Sequence, residues 1–549
     1  MHRPLLFASL GVVAISLACV PPAGNGPTSG TATDTLATET DATATATDPT
    51  TTVSEPSIPC PPIDPHHKWE LDQDGVFDTV VQTQDELQIL AGCTDIDGSL
   101  QITGTVTDLT PLASLRRIAG SLYIDDVGEK QLFSLAGLEG LVSVRSVELE
   151  HLAITSLEPL AGLTSLAGAL DLERLEELES LAGLHNLEHI GGPLTISGLP
   201  KLTEVEALAG LTDLPDTLEL AELSALTSLE GLHNIAHIGG RLSIDECPQL
   251  ADLGGLRGLQ GIDGRLYLGQ LPITTLHGLE ALTEVGTPGG EPVQVTLYLL
   301  SELTSLDALA IEWHEAHSIW IYRSQVSSLD TFAGVPELDS LTLLEVDNLV
   351  DLSGLESLTV VHGSLDLSDN PSLVDISALA NLRSFGALDI ERSALTDLLL
   401  PGLTAVGAVR IRENAELTAL SGLAGFSEMA SLVLEYNPKI AALPDLSALE
   451  SVVGNFEIRD NDTLTTLADL AGLTHVGGDL RVVDNAELPQ TEAVKWGEPI
   501  DVGGTRKIVR NKGDIAPPAD PCPWVDDGEC DENGTCAPGS DGWDCIIGE

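Results

Sequence analysis

A strand-like motif, L-x-[IL], recurs about every two dozen residues through most of this chain of 549 residues and limits what it can fold into. In the clearest stretch its first leucine returns every 24 residues, at Leu170, Leu194, Leu218, Leu242 and Leu266. The motif can be followed from Leu100 to Leu480, with spacings of 21 to 25 residues apart from one longer step. A unit this short cannot bury its own apolar face and must stack on its neighbours. The repeat therefore predicts one long solenoid that binds along an extended surface.

Each motif alternates between the core and the surface. The two apolar residues of L-x-[IL] point inward and the middle residue points outward, because side chains alternate along a strand. The L-x-x-L and G-L-x-x-L pieces between motifs are too short for full α-helices. We expect a right-handed stack of parallel β-strands with short 3-10 or helical turns and little regular helix. Glycine pairs such as Gly191-Gly192 and Gly239-Gly240 precede the strands, where a tight corner with positive φ is expected.

The first repeat begins with the sequence C-T-D-I-D-G-S-L-Q-I from Cys93 to Ile102. This segment resembles the opening of receptor L domains, the leucine-rich ligand-binding modules of insulin-type and growth-factor-type receptors. The resemblance continues over about residues 93–488 and implies a recognition scaffold of leucine-rich repeats without catalytic residues. As in leucine-rich repeats, an inward position three residues past each strand core holds asparagine in the later units, at Asn370, Asn414, Asn437, Asn461 and Asn485. Cys247 has the same register, which predicts a buried free thiol.

The N-terminus is typical of an export signal over residues 1–19. A short apolar run, Leu5 to Ala18, follows a basic start and is too short to span a membrane. Ala18 followed by Cys19 resembles the bacterial lipobox, which implies a lipid on Cys19 and, with Val20 next, an outer-membrane or cell-surface location. The alternative is an ordinary signal peptide cleaved nearby. Residues 20–58 are rich in Thr, Ala and Asp and predict a disordered tether.

Cysteines mark both ends of the array. We expect an N-terminal cap over residues 59–92, the solenoid over 93–495, a linker over 496–521 and a disulfide-rich acidic module over 522–549. In an exported chain Cys60 and Cys93 are expected to pair across the cap. The C-terminal module has four cysteines, which allow three connectivities: Cys522, Cys530, Cys536 and Cys545.

The C-terminal module has a partial resemblance to a known calcium module. Its D-G-x-C and D-G-x-D-C segments resemble the Lin-12/Notch repeat, which implies calcium ligands at Asp541 and Asp544. Asp527 and Asp531 are further candidates by proximity. Calcium is thus the cofactor expected, with no organic cofactor. The alternative is a small stapled cap with an acidic surface.

The charge of the chain excludes one class of partner. There are 24 Lys and Arg residues against 85 Asp and Glu residues, a formal net charge of -61. Nucleic acids and anionic membrane surfaces are repelled by such a chain, because phosphate binding needs cations. Contact with a membrane is therefore expected only through the lipid anchor.

The outward positions of the strands change in character along the array. Early strands carry carboxylates (Glu148, Glu150, Asp171, Glu173, Glu219 and Asp245), and late strands carry Arg410, Arg412, Arg459 and Arg481 with Glu391, Glu435 and Glu457 between them. The middle strands carry Tyr267, Tyr298, Trp320 and Tyr322, although aromatic residues are only 3% of the chain. We expect Tyr267, Tyr298 and Trp320 to share one register. Aromatic side chains often anchor protein interfaces and also stack on sugars. The alternative, of equal weight, is cross-strand packing that only stabilises the sheet.

Two classes of function remain after these observations. The favoured one is non-catalytic recognition of a protein or glycan at the cell surface. The alternative is a solenoid glycoside hydrolase or lyase acting on envelope polysaccharide, because Asp366 and Asp389 fall on neighbouring strands and such enzymes use acidic pairs. This face is acidic at many other positions, so the pair alone does not predict catalysis.

The lipobox resemblance gives a direct test. We expect Cys19→Ser to release the protein from the membrane fraction, because the thioether-linked lipid can no longer form. Cell fractionation and mass spectrometry of the mature N-terminus measure this. An unmodified mature N-terminus at any residue other than Cys19 would contradict the lipoprotein assignment.

Overall fold

The computed structural model describes residues 79–126, 131–286, 293–309, 311–313 and 317–513. These residues form a parallel β-solenoid of the leucine-rich-repeat type, as the periodicity predicts. Every strand pairing within them is parallel. Among the described residues no helix is both long and apolar enough to span a bilayer.

One large parallel sheet contains 20 strands and follows the repeats along the chain. Its strands are Thr79–Val81, Leu100–Ile102, Ser121–Asp125, Ser146–Glu150, Leu170–Glu173, Leu194–Ser197, Leu218–Ala221, Leu242–Asp245, Leu266–Gly269, Val293–Tyr298, His317–Ser324, Glu337–Leu338, Ser340–Val346, Val360–Asp366, Ser384–Glu391, Ala408–Arg412, Ser431–Glu435, Phe456–Arg459, Leu480–Val483 and Arg506–Val509. We call the outward side of this sheet the strand face.

Two-residue strands lie elsewhere in the coils and form small parallel sheets of their own. They are Asp95–Ile96, Arg117–Ile118, Ser165–Leu166, His189–Ile190, His237–Ile238, Gly261–Ile262, Glu284–Val285, Glu428–Met429, Ser451–Val452, His475–Val476 and Asp501–Val502. Regular helix is scarce, as expected from the short connecting pieces. The α-helices are Gln84–Ile89 and Gln490–Gly497, and the 3-10 turns are Thr110–Leu112, Glu158–Leu160, Glu206–Leu208, Gly254–Leu256, Asp330–Phe332, Ser377–Asn381, Ser421–Leu423 and Ala468–Leu470.

The core is a set of aliphatic columns. Leu194 lies beside Leu218 and Leu218 beside Leu242 in the sheet, and all are fully buried. The residue that follows most strands has a left-handed conformation, as in Arg174 (φ 53°) and Glu246 (φ 52°). This conformation turns the chain out of the sheet and lets the next side chain enter the core.

The role expected for the glycine pairs was wrong. Gly191 and Gly192 do not have positive φ; they lie against the backbone of the preceding coil. A Cβ atom on Gly191 would stand 2.5 Å from the carbonyl oxygen of Ala167. The pair is therefore required by close stacking of one coil on the next.

The stack extends past both limits expected from the sequence, 93 and 495. Thr79–Val81, inside the expected cap, pairs with Leu100–Ile102. Arg506–Val509, inside the expected linker, pairs with Leu480–Val483. The last strand escaped the pattern because Arg506 occupies the position that leucine holds in other repeats.

The inward asparagines from Asn414 to Asn485 form a hydrogen-bonded ladder, whereas Asn370 bonds to the backbone of its own and the preceding coil. The side-chain oxygen of Asn437 accepts the N–H of Asn414, at 3.1 Å, and Asn461 accepts the N–H of Asn437 in the same way. The side-chain amide of Asn437 donates to the carbonyl oxygens of Ile411 and Glu435, both at 2.9 Å. Asn511 extends the ladder by one further coil.

Earlier coils fill the same inward position with apolar side chains. Leu175, Leu199, Leu223 and Leu271 are buried there. Cys247 is buried in this register as well and is a free thiol, as predicted. Burial raises the pKa of the Cys247 thiol to about 12, so it is not a nucleophile at neutral pH.

Asn437 should be costly to replace. Asn437→Ala leaves the N–H of Asn414 and the carbonyl of Ile411 without their partner in a buried site, and we expect a loss of about 2–4 kcal/mol in the free energy of unfolding. Urea denaturation measures the loss. The control is Asn348→Ala, because Asn348 is exposed and its hydrogen bond to the Gln325 side chain is open to solvent. Equal effects of the two changes would contradict a special role for the ladder.

Candidate functional site

The aromatic residues predicted from the sequence come together on the strand face. Trp320 and Tyr298 are 47% and 36% exposed, and Tyr267 and Tyr322 are partly exposed. The rings of Tyr298 and Tyr322 stack with centroids 5.1 Å apart, and those of Tyr267 and Tyr298 with centroids 6.5 Å apart. We call these four residues the aromatic patch.

The expected register of the patch was wrong at Tyr298. Trp320 pairs with Thr296, which in turn pairs with Tyr267, whereas Tyr298 pairs with Tyr322. The inward pair of this strand is Val295 and Leu297, so the strand core lies two residues earlier than expected. The rings therefore occupy two adjacent registers instead of one ladder.

Gly269 explains how Tyr267 reaches Tyr298 across these registers. Gly269 lies beside Tyr298 in the sheet, where any side chain would fill the gap between the two rings. A Cβ atom there would stand 2.7 Å from the hydroxyl of Tyr267. The missing side chain thus leaves room for the Tyr267 ring to lean towards its neighbour.

Charged groups border the patch. The guanidinium of Arg323 lies over the Tyr322 ring, 5.5 Å from its centroid, and donates to Glu345 at 2.7 Å. Burial, followed by the charge of Asp245, raises the pKa of Tyr267 to about 12. The hydroxyl group of Tyr267 is therefore a neutral hydrogen-bonding group at physiological pH.

The early half of the strand face is a ladder of carboxylates, as expected. Glu148 pairs with Asp171 and Glu150 with Glu173 on neighbouring strands. Burial, followed by the charge of Glu173, raises the pKa of Asp171 to about 7. Burial also raises the pKa of Glu148 above its usual range. These strands therefore concentrate negative charge that is partly removed by mild acid.

On the late half of the strand face, the charges of arginines and carboxylates neutralise one another in ion pairs. Arg412 lies 3.0 Å from Glu435, which also lies 3.8 Å from Arg459. Arg481 lies 2.8 Å from Asp479. Arginines and carboxylates alternate across the strands here, so little charge is left over for a ligand.

A hollow of about 230 Å³ lies between the aromatic patch and these ion pairs. Its lining consists of Leu344, Asp366, Ser368, Asp369, Asp389, Ile390, Glu391 and Arg410. It contains the two carboxylates of the hydrolase alternative, Asp366 and Asp389, which pair on adjacent strands. Burial raises the pKa of Asp389, while Arg410, 3.3 Å away, opposes the shift.

A second cluster near the start of the face resembles a metal site only in composition. Asp125, Glu150 and His151 lie close together. The Nε2 atom of His151 lies 2.9 Å from Arg174, which can only donate, so the imidazole proton is on Nδ1. Nδ1 lies 3.2 Å from Asp125. A metal would need that nitrogen's lone pair, so the cluster is better described as a closed hydrogen-bond network.

Several predicted sites lie outside the described residues. These are Cys19, Cys60, Cys522, Cys530, Cys536 and Cys545, and the candidate calcium ligands Asp527, Asp531, Asp541 and Asp544. Cys93 is described and buried. The lipid, the disulfides and the calcium site stay predictions.

Four residues that shape the patch or the hollow could not be identified from the repeat pattern. Gly269 and Arg323 shape the patch, and Leu344 and Ser368 line the hollow, yet each looks like an ordinary member of its repeat. Only the strand pairing seen in the structure brings these residues to the patch and the hollow.

No protein-family model and no curated protein sequence matches the chain. Among solved structures, an internalin (inlF) from Listeria monocytogenes is 17% identical, covering 67% of this chain and 87% of its own, with a TM-score of 0.36. The leucine-rich-repeat protein LIC12759 of Leptospira interrogans is 13% identical, covering 77% of this chain and 92% of its own, with a TM-score of 0.26. TLR13, in a complex with ssRNA13, is 17% identical, covering 76% of this chain and 73% of its own, with a TM-score of 0.31. Similarity at this level does not identify a ligand for the chain.

The carboxylates of the early strands make the folding stability depend on pH. The folded pKa of Asp171, about 7, lies above its ordinary value of 3.8, so stability from this group falls as pH rises between about 4 and 7. Asp171→Asn mimics the protonated form and should remove this part of the slope, gaining about 1–2 kcal/mol at pH 8 after allowance for solvent screening. Urea unfolding at pH 5 and pH 8 measures it. Glu302→Gln, at an exposed position outside the large sheet, is the control. A slope unchanged in Asp171→Asn would refute this.

Proposed function

We propose that this chain is an exported surface protein that recognises a protein or glycan without catalysis, through the strand face. The observation that carries the proposal is the aromatic patch. Exposed large aromatic rings stack together on one face of a chain in which aromatic residues are only 3%. Rings of this kind anchor interfaces because they bury much area at little cost in side-chain entropy.

The rest of the proposed assignment concerns where the face is displayed. A lipid on Cys19 and the tether over residues 20–58 would hold the solenoid away from an outer membrane. The module over residues 522–549 would be a disulfide-stapled, calcium-binding end piece. Both the lipid anchor with its tether and the C-terminal module are proposed from the sequence patterns. Together they would display the strand face at the cell surface.

A hydrolase acting on envelope polysaccharide is the second candidate, because Asp366 and Asp389 pair across adjacent strands and the pKa of Asp389 is raised. Release of new reducing ends from envelope polysaccharide, abolished by Asp389→Asn, would establish it. The ion pair of Asp389 with Arg410 favours a structural or binding role for this carboxylate.

Trp320 is the residue that best separates recognition from sheet packing. Trp320→Ala should weaken retention of the envelope ligand by at least about 2 kcal/mol, or roughly 30-fold, because Trp320 is the most exposed residue of the patch. The melting temperature should change little, because the inward Ile319 and Ile321 remain buried. Titration of envelope fractions on the immobilised protein measures retention. Scanning calorimetry measures the melting temperature.

A matched control for this experiment is Val350→Ala. Val350 is an exposed apolar residue outside the large sheet. The substitution Val350→Ala should alter neither the retention of envelope components nor the melting temperature. A lower melting temperature with unchanged retention in Trp320→Ala would show instead that the rings serve cross-strand packing.

A further inference from the structure

We propose that the hollow beside the aromatic patch receives the cationic side chain of an arginine or lysine in a polypeptide ligand whose neighbouring residues lie on the patch. This inference rests on the proposed function and names the chemistry of the ligand. It depends on where the hollow lies, on the charges that line it, and on the rings next to it.

The hollow and the patch are neighbours on one face. Trp320 pairs with Thr342, and Thr342 pairs with Asp366 at the hollow. Two strand spacings of about 4.8 Å put Asp366 about 10 Å from Trp320 along the sheet. Tyr322 pairs with Leu344, which lines the hollow directly. A single extended segment can therefore contact both features.

The lining has more negative than positive charge. Asp369 and Glu391 are held by Arg392, and Asp389 by Arg410. Asp366 is different: one of its oxygens accepts the N–H of Ser368 at 3.0 Å, and no Lys or Arg of the described part of the chain forms an ion pair with it. A guanidinium or ammonium entering the hollow would give Asp366 the cation it lacks.

The neighbouring rings suit the same ligand. The faces of aromatic rings attract cations, and Arg323 already lies over Tyr322 in this way. Asp245 packs at Gly269 beside the Tyr267 hydroxyl, Glu345 accepts the Tyr322 hydroxyl, and the net charge of the chain is strongly negative. A basic segment is therefore complementary to the hollow, to the patch and to the long-range field.

A neutral glycan fits these observations less well. It would stack on the rings but would leave Asp366 without a cation and would gain nothing from the field of the chain. A glycan ligand is therefore an outcome that the experiment must be able to reveal.

The test compares two synthetic peptides on the full-length protein. One alternates serine and arginine, and the other replaces each arginine by citrulline, which is neutral and of nearly the same shape. Binding is titrated by calorimetry at physiological ionic strength for the wild type, Asp366→Asn, Trp320→Ala and Glu302→Gln. The side-chain oxygen of the substituted amide can still accept the N–H of Ser368, so Asp366→Asn removes charge while keeping the local hydrogen bond.

We expect the arginine peptide to bind and the citrulline peptide to bind at least about ten-fold more weakly. Asp366→Asn should weaken the arginine peptide by about ten-fold, and Glu302→Gln, which removes the same charge at an exposed position outside the large sheet, by less than about two-fold. Trp320→Ala should also weaken it. Equal effects of Asp366→Asn and Glu302→Gln would overturn the inference, because bulk charge alone would then explain the binding.

The inference and the proposed function fail in different ways. If envelope components are retained in a Trp320-dependent manner but Asp366→Asn has no effect on them or on the peptide, recognition stands and the cation site is refuted. This pattern, with retention insensitive to salt, is the one expected for a stacked glycan. If Trp320→Ala leaves retention of envelope components unchanged, the proposed face itself is wrong.

Discussion

Hydrogen bonding between successive coils is the constraint on which the rest of the molecule depends. Each strand of the large sheet can satisfy its backbone only by pairing with the strands of the coils before and after it. The pairing fixes the register, and the register places equivalent residues of every repeat side by side. Core columns, the asparagine ladder and the strand face are all consequences of this one alignment. A single outward substitution is therefore never isolated, because it enters a row that runs along the face.

The composition of these rows decides what each part of the face can do. Where carboxylates lie beside carboxylates they leave a negative field, and burial together with the neighbouring charges raises the pKa of Asp171. Carboxylates beside arginines neutralise each other, as Glu435 does between Arg412 and Arg459. The aromatic patch and the hollow lie between the carboxylate-rich early strands and the ion-paired late strands. Here exposed apolar area lies beside Asp366, a carboxylate that forms no ion pair with a Lys or Arg of the described residues.

Much of this arrangement could be predicted from the repeat alone. The repeat of about two dozen residues predicted the solenoid, and the alternation within each strand predicted which side chains point inward and outward. The burial of the asparagines and of Cys247 was predicted from their position three residues past each strand core. The register of Tyr298 could not be predicted, because Leu297-x-Leu299 matches the L-x-[IL] motif whereas the true core, Val295-x-Leu297, begins with valine. Structure resolves the ambiguity: Leu299 has a left-handed conformation and ends the strand. The last repeat was missed because Arg506 stands where other repeats have leucine, and no local sequence pattern indicates the hollow.

The change from leucine to asparagine at the inward ladder position has a consequence for how the molecule responds to temperature. Leu175, Leu199, Leu223 and Leu271 hold the early coils together by apolar contact, whereas Asn370, Asn414, Asn437, Asn461, Asn485 and Asn511 hold the late coils by hydrogen bonds. Hydrophobic stabilisation weakens on cooling, and hydrogen bonds do not follow the same dependence. At this one position the early coils therefore rely on an interaction that weakens on cooling, whereas the late coils rely on hydrogen bonds between buried side chains and backbone.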